Sequence, residues 1–245
     1  MNYMGSKARF ANEILPIILS ERRPNQYYVE PFCGGCNTLY KVTGKRIGAD
    51  LNKYLIAMWK FLTETDFPFP RTITKEQYVF YRQLWHTRNC LDLDIEDAMT
   101  GWVGFMASFN GRFFEGGYSG HKVRVNSKSG FRNYISEQIR NTVAQVDKLK
   151  GVDFYWADYS ELEIPSQSII YCDPPYKETT GYNVSKHFDH NRFQEWCRKQ
   201  KEKGHTLFVS EYSMPDDFTL VWEKESNINI NCSNTKKAVE RLYKL

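Results

Sequence analysis

No apolar run in the 245 residues approaches the ~18 that a membrane span needs, and the first residues lack the apolar stretch of a secretory leader. The expectation is a cytoplasmic protein with no membrane segment. Cysteine is sparse. Cys33, Cys36, Cys90, Cys172, Cys197 and Cys232 are scattered through a chain too large to need covalent staples, which predicts free thiols. Only the C-G-G-C at 33–36 has ligand-like spacing, and no second CxxC and no HxxxH completes a four-ligand zinc set, so no metal is expected. A redox pair at Cys33 and Cys36 stays open at this point. Internal repeats and low-complexity linkers are also missing, which excludes a repeat array. Neither sign of charge dominates: a net of +4 is compatible with a polyanionic partner without demanding one.

Aromatic residues are plentiful at 16%, enough to build stacking surfaces or simply an aromatic core. Several segments read as strands leading into helices. YYVEPF (27–32) and KRIGAD (45–50) are strand candidates, and LNKYLIAMWKFL after the second suits a helix. VDFYWAD (152–158), SIIYCD (168–173) and HTLFVSEY (205–212) are further strands, and RFQEWCRKQKEKG between the last two is a helix closed by Gly204. Such alternation predicts a parallel sheet with helices on both faces. Near the start, Phe10, Ala11, Ile14, Leu15 and Ile18 form one helical face, with Pro16 expected to bend it. The alternation breaks from about 63 to 150, where two helical stretches (75–88 and 96–109) precede a Gly- and Arg-rich stretch. A further helix then places Ile135, Ile139, Val143, Val146 and Leu149 on one face. This block reads as an insertion splitting the sheet-forming halves.

Two corners carry chemistry. In open α/β sheets, ligands settle beyond the carboxyl ends of the strands, where strand order reverses. EPFCGGCN follows the first strand, and Gly34 and Gly35 permit a tight turn and a close backbone approach. The second strand ends on Asp50, where an acid commonly pairs with ribose hydroxyls. The turn is not GxGxxG, so a plain structural turn and a nucleoside site both remain open. The second corner is DPPY at 173–176. Its prolines remove two backbone N–H donors and set φ, leaving bare carbonyls. The Asp173 carboxylate and the Pro174 carbonyl could each accept one hydrogen of a ring-conjugated amino group, freeing the nitrogen lone pair on its third side. Tyr176 offers a face for a stacked base, worth roughly 1–3 kcal/mol. A carboxylate of ordinary pKa is too weak to deprotonate such an amine, so Asp173 orients and stabilises charge. A Pro-Pro turn that merely ends a strand is the plainer alternative.

In their order along the chain these motifs resemble the Dam-type (D12 class) adenine-N6 DNA methyltransferases, which use S-adenosylmethionine. YMGSK (3–7) resembles the family's N-terminal cofactor motif. VEPFCGGCNTL resembles its methionine-side loop, IGADLN its ribose acid and WADYSEL its adenine segment. IIYCDPPY resembles the catalytic motif, HTLFVSEY the strand after it, and KKAVERLYKL the closing strand. The resemblance implies a Rossmann-like class I methyltransferase α/β fold, its seven-stranded sheet containing one antiparallel strand. Residues 1–62 and 151–245 would form the catalytic domain, and 63–150 an inserted, largely helical target-recognition lobe walling a DNA cleft. It assigns S-adenosyl-L-methionine to Tyr3, Lys7, Glu30, Pro31, Phe32, Cys33, Gly34, Asp50, Asp158 and Tyr159, and catalysis to Asp173, Pro174, Pro175 and Tyr176.

The FNG at 109–111 matches a family pattern, and the residues after Gly111 depart from it. Between 111 and 132, Arg112, Lys122, Arg124, Lys128 and Arg132 face the single acid Glu115, interleaved with Phe113, Phe114, Tyr118 and Phe131. Together with Asn110, these residues are the expected contacts to duplex DNA, with the rings intercalating or stacking; a solvated basic loop is the plainer alternative. The expected reaction is base flipping followed by direct methyl transfer to adenine N6. No nuclease motif or further domain is apparent, and no obligate protein partner is expected, which suggests a solitary modification enzyme. RNA adenine and protein glutamine methyltransferases, whose motif typically carries Asn in place of Asp173, and a catalytically silent DNA-binding homologue are the competing functions.

Overall fold

The computed structural model describes residues 1–88, 92–121, 123–124, 131–176, 188–231 and 234–245, with backbone alone at 123–124, 131, 226–231 and 234–238. The strands, in chain order, are β1 (Tyr28–Glu30), β2 (Arg46–Asp50), β3 (Val123–Arg124), β4 (Phe131–Arg132), β5 (Val152–Trp156), β6 (Ile169–Cys172), β7 (Thr206–Ser210), β8 (Thr219–Asn231) and β9 (Asn234–Lys244). The helices are α1 (Ala11–Ile18), α2 (Lys53–Glu64), α3 (Lys75–Thr87), α4 (Ile95–Ala107), α5 (Tyr134–Leu149) and α6 (His190–Glu202).

Seven strands form one sheet in the order β5-β2-β1-β6-β7-β9-β8. The first five run parallel, and β9 lies antiparallel to both of its neighbours, β7 and β8. This is the expected Rossmann-like sheet with one reversed strand. β8 was not marked by the sequence pattern. Its WEKESNINI stretch is polar because it lies at the sheet edge, with β9 as its only neighbour in the sheet order. Strand order reverses at β1, whose two neighbours β2 and β6 continue the chain on opposite sides. A crevice therefore opens above the carboxyl ends of β1 and β6, which are Glu30 and the residue before Asp173.

The central strands β1 and β6 are buried at every position because both of their faces are covered, and Glu30 at the end of β1 is their one charged residue. Tyr28, Phe154, Ile169, Tyr171 and Phe208 point toward α1, α2, α4 and α5. Val29, Ile47, Ile170, Cys172, Leu207 and Val209 point to the other face, with Phe193 and Trp196 of α6. The α1 face is buried as its spacing predicts, and the helix continues through Pro16 to Ile18. Gly204, at φ +85°, follows the C-cap of α6.

Within 63–150, α4 is buried along most of its length and shares the core that α2 and the sheet contribute to. A Cβ on Gly101 would stand 2.0 Å from the Tyr54 carbonyl oxygen, so glycine is what lets α4 lie against α2. Asp97, wholly buried, receives Lys53 Nζ and Arg88 Nε at 3.1 Å each, tying α2, α4 and the end of α3 together. The expected face of α5 needs correction. Ile135, Ile139 and Leu149 are buried, but Val143 is exposed and Val146 only half-buried. Gln138, Thr142 and Gln145 are buried instead. The reason is polar: Gln138 accepts from the Asn2 amide at 3.0 Å and donates to the Asn2 carbonyl at 2.7 Å. Gln145 bonds the Met1 amino group and donates to Asn37 Oδ1 at 3.2 Å. Helix α5 thus anchors the N-terminal strap that carries Tyr3 and Lys7. No helix among the described residues is long and apolar enough to cross a membrane.

Candidate active site

The loop after β1 turns sharply at Gly34 (φ +45°) and Cys36 (φ +53°). Cβ atoms built on Gly34 and Gly35 would each lie 2.7 Å from Tyr3, so the space that glycine leaves is filled by the strap. Tyr3 in turn packs on Phe105 of α4 at 5.8 Å. The Trp59 indole donates to the Gly34 carbonyl at 3.1 Å, and the Cys33 amide to the Ala49 carbonyl at 2.8 Å. Cys33 and Cys36 are free, buried and hydrogen-bonded to each other, and burial pushes both thiols up. Redox pairs need accessible thiolates, so this geometry removes the basis for that alternative. Among the described residues no three His, Cys, Asp or Glu side chains gather as a metal site.

Asp50, at the end of β2, accepts from the Gly34 amide at 3.1 Å and the Asn52 amide at 2.9 Å. Burial raises its pKa, and these backbone donors pull it back. The neighbouring strand β5 pairs Trp156 with Asp50 and leads directly to Asp158 and Tyr159. Asp158 Oδ1 accepts from the Ser160 amide at 2.9 Å, and the Tyr159 ring lies 5.3 Å from that of Phe32. Phe32 is half-buried and Pro31 buried. From β1 to β5 the rim therefore presents an aromatic face, a carboxylate and a second carboxylate. That donor set fits a nucleoside: a stacking wall (Phe32), a hydroxyl acceptor (Asp50) and an acceptor for an exocyclic amine (Asp158).

Glu30 lies beneath this loop, 2% exposed, and accepts from the Tyr28 hydroxyl at 2.7 Å. Burial, reinforced by the charge of Asp173, pushes its carboxyl up to about 8 against the hydrogen bonds from Tyr28 and Thr38. It is a protonated acid at neutral pH.

Asp173 follows β6 directly, with Pro174 buried and Pro175 and Tyr176 half-buried. Lys7, expected on the cofactor side, has its ammonium 2.8 Å from Asp173 Oδ1 and 4.5 Å from the centre of the Tyr176 ring. Burial raises the Asp173 carboxyl above its ordinary value, and Lys7 draws it back. Glu240, which no motif marked, joins the corner: the Tyr176 hydroxyl donates to its Oε2 at 3.0 Å. Its signal in the sequence was only that KKAVERLYKL places one acid on the closing strand.

The expected DNA contacts are dispersed. Asn110 (φ +55°) and Arg112 are exposed after α4. Arg132 pairs with Glu137 at 2.6 Å and stacks on Tyr134. Arg124 belongs to the short β3–β4 ladder by its backbone; Lys122 and Lys128 lie outside the described residues. The stacking role expected for Phe113, Phe114 and Tyr118 is corrected. Phe114 is 1% exposed, Phe113 packs on Phe105 at 4.7 Å, and the Tyr118 hydroxyl donates to the Ile73 carbonyl at 2.7 Å. They are core residues, because the turn after α4 folds back on α3. Phe109 is 45% exposed, edge-on to Tyr134, and the side chain of Phe131 lies outside the described residues.

The chain is 26% identical over 226 residues to the modification methylase StsI of Streptococcus sanguinis, covering 83% of this chain and 32% of that protein. It is 24% identical over 267 residues to the type II methyltransferase M.FokI of Planomicrobium okeanokoites, covering 94% of this chain and 38% of that one. The chain thus spans about a third of the length of these curated relatives. A Listeria monocytogenes structure described as a class I S-adenosylmethionine-dependent methyltransferase matches 100% of this chain and 60% of its own, with 10% identity and a TM-score of 0.40. The model of the D12 class N6 adenine-specific DNA methyltransferases matches residues 3–235, and the chain belongs to that family.

Proposed function

We propose that the chain transfers a methyl group from S-adenosyl-L-methionine to N6 of an adenine flipped out of duplex DNA. The observation that carries this is Asp173 at the carboxyl end of β6, beside the reversal of strand order, with Lys7 and Tyr176 packed around it. Phe32, Asp50, Asp158 and Tyr159 hold the cofactor's nucleoside, and Tyr3, Pro31, Cys33 and Gly34 shape its loop. The cofactor supplies an electrophilic methyl on a sulfonium sulfur. Asp173 and the Pro174 carbonyl accept the two amino hydrogens, Pro175 stiffens the corner, and Tyr176 stacks on the base. With the cofactor bound, the N6 lone pair would take the methyl, the S–C electron pair would stay on the departing thioether, and the surplus N6 proton would pass to solvent. With Lys7 beside Asp173 favouring its charged form, most of the acceleration comes from positioning and fixed charge.

Residues 63–150 supply target recognition, with Asn110, Arg112, Lys122, Arg124, Lys128 and Arg132 meeting the phosphates and base edges. The protein works in the cytoplasm on DNA as a modification enzyme, without an obligate protein partner. Tritiated S-adenosylmethionine, offered with duplex DNA, RNA and protein in parallel, tests the proposal. Label is expected in duplex DNA alone, and lost with Asp173→Ala. Transfer to RNA or protein instead, or near-normal turnover by Asp173→Ala, would reject it.

A further inference from the structure

The reversed strand brings an acid to the site. β9 runs antiparallel to β7 with Leu242 opposite Ser210, the last residue of β7. Residues earlier in β9 therefore lie beyond the carboxyl end of β7. Glu240 reaches the same rim as Asp173 although it stands within a strand. Its side chain is 12% exposed, and its Oε2 lies 3.8 Å from the Lys7 ammonium. The same oxygen accepts from the Tyr176 hydroxyl at 3.0 Å. Burial, then the charges of Asp173 and Glu240, push the Tyr176 phenol far up, so this hydroxyl remains a donor. The contacts that hold the ring include its hydroxyl on Glu240, Lys7 over its face, and the Tyr212 ring edge-on at 4.6 Å.

We propose that Glu240 is a positioning residue for methyl transfer, fixing the plane of the Tyr176 ring and hence the face on which the target adenine stacks. This rests on the stacking role given to Tyr176 above. A ring already locked in place loses little freedom when the base arrives, so capture of the base is favoured. Glu240 also shares the Lys7 ammonium with Asp173. Its effect passes through Tyr176 and Lys7, and it does not touch the reacting atoms.

The test uses duplexes of the sequence found methylated in cells expressing the wild type, with adenine at the target position for the kinetics and 2-aminopurine there for the fluorescence. Glu240→Ala and Tyr176→Phe should each raise KM for DNA by roughly 10-fold, as expected for one charge-assisted hydrogen bond, with a smaller change in kcat. Both should alter the 2-aminopurine response alike, even without cofactor. The double variant should be no worse than either single one. Glu240→Gln, whose amide oxygen still accepts, should restore most of the wild-type response. Wild-type KM and fluorescence in Glu240→Ala, or additive losses in the double variant, would overturn the role. If Glu240→Ala does not fold, wild-type behaviour of Tyr176→Phe overturns it equally. A wild type that methylates no DNA defeats the function itself. In that event the contact is still read by NMR, as a moved Tyr176 Cζ resonance in 13C-tyrosine-labelled Glu240→Gln; an unmoved resonance ends the proposal.

Discussion

The ammonium of Lys7 sits 2.8 Å from Asp173 Oδ1, joining the N-terminal strap to the acid that closes the central strand β6. The two residues stand 166 positions apart in the sequence. They meet because Gln138 and Gln145 of α5 grip the first two residues and lay the strap over the sheet rim. The pair sets the charge state of the corner, since Lys7 opposes the upward pull of burial on Asp173.

Lys7→Met removes that opposition. The Asp173 pKa then rises further, and the acid limb of the kcat/KM profile moves to higher pH. A charge-assisted hydrogen bond contributes about 1.5–3 kcal/mol, so methyl transfer at neutral pH should fall roughly 10- to 100-fold. Activity should partly return at alkaline pH. A wild-type profile measured from pH 6 to 9 would show that Lys7 does not tune Asp173.

Glu30→Gln should flatten the pH dependence of stability. The Glu30 carboxyl rises from 4.5 to about 8 on folding, so the folded state keeps a proton that the unfolded chain releases. Its contribution is fully present below 4.5 and is lost as pH climbs toward about 8. Glutamine mimics the protonated form and still accepts from Tyr28. Urea unfolding at pH 5 and pH 9 should show a smaller loss in the variant than in the wild type, by a margin on the order of a few kcal/mol. Equal losses in the two proteins would place the effect elsewhere.

Asp50→Asn removes the charge at the end of β2. Asp50 Oδ2 accepts from Gly34 and Oδ1 from Asn52, so the variant keeps an acceptor for only one of these two amides. Affinity for S-adenosylhomocysteine, measured by calorimetry, should weaken roughly 10- to 100-fold, as expected when a hydrogen bond to a charged acceptor is lost. An unchanged Kd would reject the ribose role, and thermal unfolding controls for a damaged loop.

The sequence by itself determined the sheet and its main corner. Parallel strands covered on both faces are mostly apolar, so the runs ending in YVE and IIYC were legible, and the acid after IIYC emerges at the rim. The capped helices α2 and α6 and the turn at Gly34 follow from short-range rules that act within a few residues. The tertiary structure decided what depends on long-range neighbours. Gln138 and Gln145 are buried because their partners lie more than 100 residues away at the strap and the β1 loop, and no helical periodicity encodes that. Phe113 and Phe114 read as surface rings until the turn folds onto α3 and α4. Glu240 joins the corner only because β9 enters the sheet reversed, and strand direction is set by the packing of the whole sheet rather than by the residues of the strand.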